Sequence, residues 1–316
     1  MRIVFMGNPD FAVATLDAIY QAGYTIAAVV TSPDKPAGRG KKLHMPEVKQ
    51  YALSKDLPIL QPAKLKDQHF IEQLQSLKAD LFVVVAFRIL PEEVFTIPPY
   101  GTFNVHASLL PEYRGAAPIH RAVMNGETRT GVTTFFLNKD MDKGDIIDFK
   151  EIEIGDKETT GELYDRMKYI GASLAVETIK KIEMKEITLI PQSVSKEGLK
   201  LAPKILKEDC LIDWNHTACD IFNKIRGLSP FPGAYTQIRN KQGEIYTFKC
   251  YQSAVSTQKA LSEPGCVHTD GKNFFAVDTS DFQILLENIQ WQGKSRMDIK
   301  AFLGGFRKEN YTMRLF

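Results

Sequence analysis

The sequence predicts an α/β fold: a doubly wound, mostly parallel, Rossmann-like sheet followed by a small antiparallel OB-like β-barrel. An apolar strand at residues 2–7, a helix, and a second apolar strand at 26–31 make a β-α-β opening, which is typical of parallel sheets covered by helices. Residues 79–86 form another apolar run, of the kind buried at the centre of such a sheet. After residue 234, short alternating runs separated by turn residues favour a small barrel.

Length and composition favour a soluble protein of two domains. The chain has 316 residues, which is long for one ordinary core. The net charge is only +2, so a nucleic-acid partner would have to be bound by local basic patches. The four cysteines lack C-x-x-C spacing and are expected to be free thiols. Because we find neither a signal-peptide pattern nor a membrane-length apolar run, we expect a cytoplasmic protein.

The first strand ends at Gly7, and the residues after it are expected to begin a helix. Asn8 is expected to cap this helix, with Pro9 at its first position. The string that starts at Gly7 does not have the G-x-G-x-x-G pattern of dinucleotide-binding sheets. A dinucleotide cofactor is therefore disfavoured.

Residues 32–44 form a long basic connection between the second strand and the next helix. Their four basic residues are Lys35, Arg39, Lys41 and Lys42. Connections of this length in compact domains are usually functional or disordered. Composition alone favours a solvated loop without a role as much as a functional one. Beside a catalytic site, a cationic arm would suit a phosphate-bearing substrate.

The remaining pattern predicts alternating helices and strands up to a linker. Helices are expected at residues 46–55, 67–77 and 118–125, and strands at 58–60 and 130–137. Thr159 and Glu162 have the spacing of a capping box and should open a long helix. Residues 192–208 are polar, basic and without periodicity, so we expect a linker there, between a first domain at 1–191 and a second at 209–316. In the second domain we expect a helix at 217–226 and strands at 235–239, 245–254, 265–268, 274–277 and 282–289.

The most informative stretch spans residues 103–118. Asn104 and His106 are two apart on a predicted strand, so their side chains should leave the same face. Pro111 then favours a turn, and Arg114 follows in a loop where a cation could meet an anionic ligand. A strand-borne Asn and His are more often a satisfied polar pair at a sheet edge than a catalytic pair. The dyad alone therefore does not decide the function.

A second acidic stretch lies at residues 140–145. Three carboxylates, from Asp140, Asp142 and Asp145, surround Gly144. Such a cluster usually forms a solvated turn, and its spacing does not fit a calcium-binding EF-hand loop.

The string over 103–118 resembles the Asn-x-His-x-Ser-Leu-Leu-Pro-x-x-Arg-Gly signature of the formyltetrahydrofolate-dependent formyltransferases. Residues 32–44, 225–234 and 294–307 resemble the members of that family that formylate initiator methionyl-tRNA. The resemblance covers nearly the whole chain and is most specific over residues 1–150. It implies a catalytic formyltransferase domain followed by an OB-like domain that binds tRNA.

The same resemblance implies roles for particular residues. Asn104, His106 and Asp142 would be catalytic, the last because it lies in the Asp-x-Gly that follows the family histidine. The folate would be bound by Phe87, Arg88, Ile89, Leu90, Ser108, Leu109, Leu110 and Pro111. The tRNA would be bound by Lys35, Arg39, Lys41, Lys42, Lys204 and Lys207. The chain departs from the family at Phe87 and Arg88, where an aromatic-glycine pair with one extra residue is usual.

The implied reaction transfers the formyl group of 10-formyltetrahydrofolate, the co-substrate, to the amino group of initiator methionyl-tRNA. Asn104 and His106 would stabilise the oxyanion of a tetrahedral intermediate. Asp142 would orient the imidazole and favour its protonated form. We expect a monomer that uses no metal. Two alternatives stay open: another enzyme of formyltetrahydrofolate, either a hydrolase or a transferase to a small amine, and a non-catalytic RNA-binding protein.

Overall fold

The computed structural model describes residues 1–37, 42–192 and 198–316. The chain divides into two compact units, and each is made from separated segments. The first contains Met1–Gly115, Thr130–Ile152 and Tyr164–Ala202. The second contains Ala116–Arg129, Glu153–Leu163 and Pro203–Phe316. The expected domain boundaries and the linker at 192–208 stay predictions.

The helices and strands between residues 1 and 192 include all the predicted ones and five that the sequence did not predict. These five are strands at Lys35–Ala37, Lys42–His44, Arg114–Gly115 and Ile146–Glu153 and a short helix at Glu92–Phe95. In chain order they are β1 (Arg2–Gly7), α1 (Asp10–Gln21), β2 (Thr25–Val30), β3 (Lys35–Ala37), β4 (Lys42–His44), α2 (Glu47–Ser54), β5 (Ile59–Leu60), α3 (Gln68–Ser76), β6 (Leu81–Val85), α4 (Glu92–Phe95), β7 (Thr102–His106), β8 (Arg114–Gly115), α5 (Pro118–Met124), β9 (Arg129–Phe136), β10 (Ile146–Glu153) and α6 (Thr160–Met184).

From residue 198 onward the chain is mainly strand. The elements are β11 (Leu201–Ala202), α7 (Ala218–Gly227), β12 (Ala234–Asn240), β13 (Ile245–Lys259), β14 (Val267–Thr269), β15 (Phe275–Asp278), β16 (Phe282–Trp291), β17 (Met297–Asp298), α8 (Ile299–Gly305) and β18 (Tyr311–Leu315). Short 3₁₀ turns occupy Glu208–Cys210 and Lys308–Asn310. The sequence did not predict β11, β17, α8 or β18.

The first unit is built on a sheet with the strand order β10-β9-β7-β6-β1-β2-β5. The strands from β5 to β7 run parallel, and β9 is antiparallel to β7. On one face, Phe70 of α3 packs in a cluster with Val4. On the other, Gly171 of α6 lies so close to Val105 and Phe11 that an added Cβ would be 3.3 Å and 3.5 Å from them. Helices cover both faces, which explains the uninterrupted apolar strands and confirms the doubly wound sheet.

The ends of the helices show where local sequence signals were sufficient. Thr159 and Glu162 form the predicted capping box: the Thr159 N–H donates to the carboxylate at 2.9 Å, and the Glu162 N–H donates to the hydroxyl at 3.3 Å. The expected cap by Asn8 is wrong, because α1 begins at Asp10 without a side-chain cap. The Asn8 Oδ1 instead accepts hydrogen bonds from the Thr31 hydroxyl and the Ser32 N–H. These two donors come directly after β2, which runs parallel to β1 and ends beside it.

The barrel of the second unit confirms the predicted small antiparallel fold. Its strands follow the order β14-β15-β16-β13-β12-β18, with β17 paired to β16. The ends of this sheet meet, since Cys266 bridges Arg314 and the Leu315 N–H donates to the Gly265 carbonyl. The barrel is therefore almost closed, and few strand edges stay unpaired. Its core is rich in aromatic and branched side chains, among them Trp214, Phe248, Phe275, Ile284, Leu286 and Phe302.

Earlier segments of the chain complete the second unit. Gly227, at the end of α7, lies against α5, and an added Cβ would be 2.5 Å from the Met124 side chain. The buried Arg226 guanidinium donates to the carbonyls of Gly155 and Glu158 at 3.2 Å and 3.0 Å. These contacts explain why the segments at 116–129 and 153–163 belong to this unit. Among the helices in the described part of the chain, none is long and apolar enough to cross a membrane.

Candidate functional site

Asn104 and His106 lie on β7, where the sheet changes from parallel to antiparallel pairing. Asn104 is level with Val84 of β6 on one side and Phe135 of β9 on the other. The alternation of the strand brings both polar side chains to one face, as predicted. The side-chain oxygen of Asn104 is buried and has no hydrogen-bond partner among the residues that the structure describes. A buried, unpaired carboxamide oxygen costs free energy unless a ligand completes its bonding, so Asn104 is the strongest mark of a site.

The imidazole of His106 is buried and held in one orientation. Its Nε2 lies 3.0 Å from the Tyr113 carbonyl oxygen. A carbonyl can only accept, so Nε2 carries the hydrogen and Nδ1 is left for other chemistry. The ring also packs edge-on against Phe135, with centroids 6.4 Å apart. The imidazole is thus fixed by a backbone carbonyl, that of Tyr113 in the loop after β7.

Thr133 organises this loop and was missed by the sequence analysis. It lies on β9 directly opposite His106. Its hydroxyl donates to the Ser108 carbonyl at 2.7 Å and accepts from the Leu110 N–H at 3.1 Å. The available signal was a pair of threonines, Thr133 and Thr134, between the apolar residues Val132 and Phe135 of a strand. It did not show which segment the hydroxyl would contact.

Asp142 is joined to the same loop from a third segment of the chain. Its carboxylate accepts a hydrogen bond from the Gly115 N–H at 3.0 Å. Within the described ranges no direct hydrogen bond joins Asp142 to His106; the two side chains instead bond the same short segment, His106 at the Tyr113 carbonyl and Asp142 at the Gly115 N–H. That one water molecule could bridge the Asp142 carboxylate and the His106 imidazole stays a prediction. Glycine is required at 115, because an added Cβ would be 2.4 Å from the Ala202 carbonyl oxygen.

Arg114 precedes this glycine and is a buried cation. Only 9% of the residue is exposed. Burial lowers the pKa of its guanidinium, and the negative charges of Asp142 and Glu112 oppose that shift. A positive charge is therefore held close to the proposed catalytic carboxylate, in surroundings that solvate it poorly.

The predicted folate-binding residues lie in two loops at the carboxyl ends of β6 and β7. Ser108, Leu90 and Leu110 are buried, whereas Ile89 is 73% exposed. The Ser108 hydroxyl is used internally, since it donates to the Glu112 carbonyl at 2.7 Å. Phe87, Leu109 and Pro111 are partly exposed. Ligands of doubly wound sheets bind at this edge, so the location suits the prediction, but the contacts themselves stay predicted.

Arg88, which departs from the family pattern, reaches across this edge. Its guanidinium donates to the carbonyls of Pro62 and Ala63 at 2.9 Å and 3.2 Å. These two residues follow β5, which lies three strands from β6. Arg88 therefore ties the loop after β6 to the loop after β5. Burial lowers the pKa of its guanidinium.

The predicted tRNA-binding residues are described only in part. Lys35 is exposed and belongs to β3, which pairs with β4 in an antiparallel ribbon. Arg39 and Lys41 lie outside the described residues, and Lys42 is described only by its backbone in β4. Lys204 and Lys207 are exposed. Within residues 1–37, 42–192 and 198–316, no group of three His, Cys, Asp or Glu side chains could hold a metal ion.

Comparisons with known proteins identify relatives of both parts of the chain. A family model described as formyl transferase matches residues 1–179, and one described as the formyl transferase C-terminal domain matches 204–307. A methionyl-tRNA formyltransferase of Bacteroides fragilis is 47% identical over 97% of this chain and 95% of its own length. One of Moorella thermoacetica is 46% identical over 97% of this chain and 96% of its own.

A solved N-formyltransferase from Helicobacter canadensis, in complex with folinic acid and dTDP-3-aminofucose, has a similar fold. It covers 90% of this chain and 98% of its own, with a TM-score of 0.65 and 20% identity. At that identity the likeness indicates the fold alone.

Proposed function

The chain belongs to the formyl transferase family, and from this premise we propose that it transfers the formyl group of 10-formyltetrahydrofolate to the amino group of initiator methionyl-tRNA. The observation that carries the proposal is the match of both domains, over nearly their full length, to relatives named for that reaction. Charged initiator tRNA is used in the cytoplasm, so we place the reaction there.

The transfer reaction requires the protein to stabilise one developing charge and to move one proton. The amine nitrogen forms a bond to the formyl carbon, and the bond from that carbon to the folate nitrogen breaks. Negative charge develops on the formyl oxygen, the amine loses a proton, and the departing nitrogen gains one. The site must therefore donate hydrogen bonds to an oxyanion, accept a proton and return it.

Asn104 is suited to the first task. No described residue bonds the oxygen of its carboxamide, so this oxygen can accept a hydrogen bond from a substrate. The amide N–H can donate to the developing oxyanion while the oxygen accepts from the attacking amine. A carboxamide does both without changing its charge.

His106 is suited to the second task. Its Nε2–H is fixed on the Tyr113 carbonyl, so Nδ1 is the atom that can take up or release a proton. Asp142 is held by the Gly115 N–H, two residues beyond Tyr113. We assign to its negative charge the stabilisation of the imidazolium that forms when His106 accepts the amine's proton.

The two substrates would approach along different surfaces of the chain. We propose that the folate lies at the carboxyl ends of β6 and β7, where it would cover the exposed Ile89. The phosphates of the tRNA would be met by lysines such as Lys35, Lys204 and Lys207, because a net charge of +2 supplies little general attraction.

Transfer of a radiolabelled formyl group tests the proposal. We expect charged initiator tRNA to be formylated in preference to elongator tRNA, free methionine, an amino-sugar nucleotide and water. Asn104→Ala should lower kcat by about 10²–10³ because an oxyanion donor is lost, whereas Asn215→Ala, at an exposed turn, should have no effect. Faster transfer to water or to the small amine would replace the proposed acceptor. An active Asn104→Ala enzyme would remove the role given to the carboxamide.

A further inference from the structure

Asp142 lies in the connection between β9 and β10, residues 137–145, which we call the Asp142 loop. Gln192 lies beside this loop because of a short antiparallel pairing. The N–H and carbonyl groups of Ile146 and Ile190 exchange two hydrogen bonds of 2.9 Å. In an antiparallel pair, the residues two positions before one partner and two after the other face each other. Gln192 therefore faces Gly144, at the far end of the loop that carries Asp142.

The Gln192 side chain makes four hydrogen bonds. Its Nε2 donates to the carbonyls of Asp142 and Gly144 at 3.0 Å and 2.7 Å. Its Oε1 accepts from Nε and Nη2 of Arg114 at 3.1 Å and 2.6 Å. A guanidinium can only donate and a carbonyl can only accept, so the orientation of the carboxamide is unambiguous. Every hydrogen and lone pair of this amide is used.

These bonds close a ring around Asp142. Gln192 holds the Asp142 carbonyl and the Arg114 guanidinium. The next residue after Arg114, Gly115, holds the Asp142 carboxylate through its N–H. The backbone of Asp142 is thus fixed by Gln192 itself, and its side chain is fixed by Gly115, whose neighbour Arg114 is held by Gln192.

Asp142 lies in a turn, in which the Lys143 N–H donates to the Asp140 carbonyl at 3.3 Å. Asp142 has a φ of 55°, in the left-handed region that non-glycine residues seldom adopt. Its neighbours Met141 and Lys143 are exposed. A residue held in an unfavourable backbone conformation keeps it only when surrounding contacts impose it. Here the turn, the bond from Gly115 and the bonds from Gln192 to Asp142 and Gly144 impose it together.

We propose that Gln192 is a positioning residue. By bonding both the Asp142 loop and Arg114, it fixes their relative position and so sets the position of the Asp142 carboxylate. This inference rests on the proposed function, since it assumes that Asp142 takes part in the transfer. Gln192 touches no reacting atom. Its loss should weaken catalysis only through Asp142 and should leave the binding of both substrates unchanged.

Replacement by methionine, which keeps the length of the side chain and removes its hydrogen bonds, gives the first test. Gln192→Met in the full chain should lower kcat by about 10- to 100-fold, the effect of misplacing a reacting group by about 1 Å, with the KM values for folate and tRNA within twofold. Gln290→Met is the control, because Gln290 also makes side-chain hydrogen bonds, to Tyr251 and to the Lys294 carbonyl, on the barrel. An unchanged kcat for Gln192→Met would overturn the inference.

A double-mutant cycle with Asp142→Asn separates this inference from the proposed function. If Gln192 acts through Asp142, adding Gln192→Met to Asp142→Asn should lower kcat by less than about twofold. Fully additive losses would show that Gln192 acts by another route, with the role of Asp142 intact. Full activity of Asp142→Asn alone would instead refute the role of Asp142 and, with it, the role of Gln192.

Discussion

Replacing Gly115 by alanine should lower both kcat and the free energy of unfolding, and the two losses can be measured separately. The residue has a φ of 127°, and an added Cβ would be 2.4 Å from the Ala202 carbonyl oxygen. Gly115 also pairs with Ala202 between β8 and β11 and donates its N–H to Asp142. The methyl group must therefore push the backbone that holds the proposed catalytic carboxylate.

The size of the effect follows from the distances. Restoring a Cβ contact of 3.0 Å requires a shift of about 0.6 Å, because packed backbone has no free space to absorb it. If the shift lengthens the 3.0 Å bond from Gly115 to Asp142, its donor and acceptor will be about 3.6 Å apart, which is no longer a hydrogen bond. We expect kcat to fall by about 10- to 100-fold. The unfavourable φ should cost about 1–3 kcal/mol of folding free energy.

Single-turnover formyl transfer and urea unfolding measure the two effects separately. Gly243→Ala is the matched control: its φ is 90°, and, apart from its two neighbours in the chain, no described residue has an atom within 4 Å of the added Cβ. That variant should lose stability without losing kcat. If Gly115→Ala kept the activity of the parent chain within twofold, the backbone bond to Asp142 would not matter for catalysis.

Three further outcomes are expected. Asp278→Asn should destabilise the barrel by about 3 kcal/mol, because this fully buried carboxylate accepts a hydrogen bond from His268. Urea unfolding of both chains over a pH series measures this loss of stability. The pKa of Asp278 is lowered, since burial raises it but hydrogen bonds from His268 and other donors outweigh burial. The stabilisation should therefore be complete above about pH 4 and be lost as the pH falls through the lowered pKa. Phe248→Ala should cost about 3–5 kcal/mol in urea unfolding, because its buried ring packs in the aromatic core. Lys207→Ala should reduce the slope of log affinity against log salt for tRNA by about 1 in filter binding.

Each of these outcomes can fail. Equal stability of Asp278→Asn and the parent chain at neutral pH would mean that the hydrogen bonds to the carboxylate only offset its burial. A small loss for Phe248→Ala would show that the barrel core collapses around the missing ring. An unchanged salt slope for Lys207→Ala would place this lysine outside the tRNA contact.

The sequence by itself determined features that depend on a few neighbouring residues. The period of β7 put Asn104 and His106 on one face. The spacing of Thr159 and Glu162 fixed the start of α6, and uninterrupted apolar runs predicted a sheet covered on both faces. Such features follow from local geometry and hydrogen bonding, so they can be read without knowing the rest of the fold.

Only the tertiary structure decided which distant groups meet. Asn8 bonds the segment after β2 and not its own helix, and Thr133 bonds Ser108. Gln192, which was expected to begin a polar linker, bonds Asp142 and Arg114. The segments at 116–129 and 153–163 joined the second unit although they precede its barrel by many residues. A polar side chain carries no signal of its partner in its own sequence neighbourhood. The partner is set by the strand order and by the loops that this order brings together.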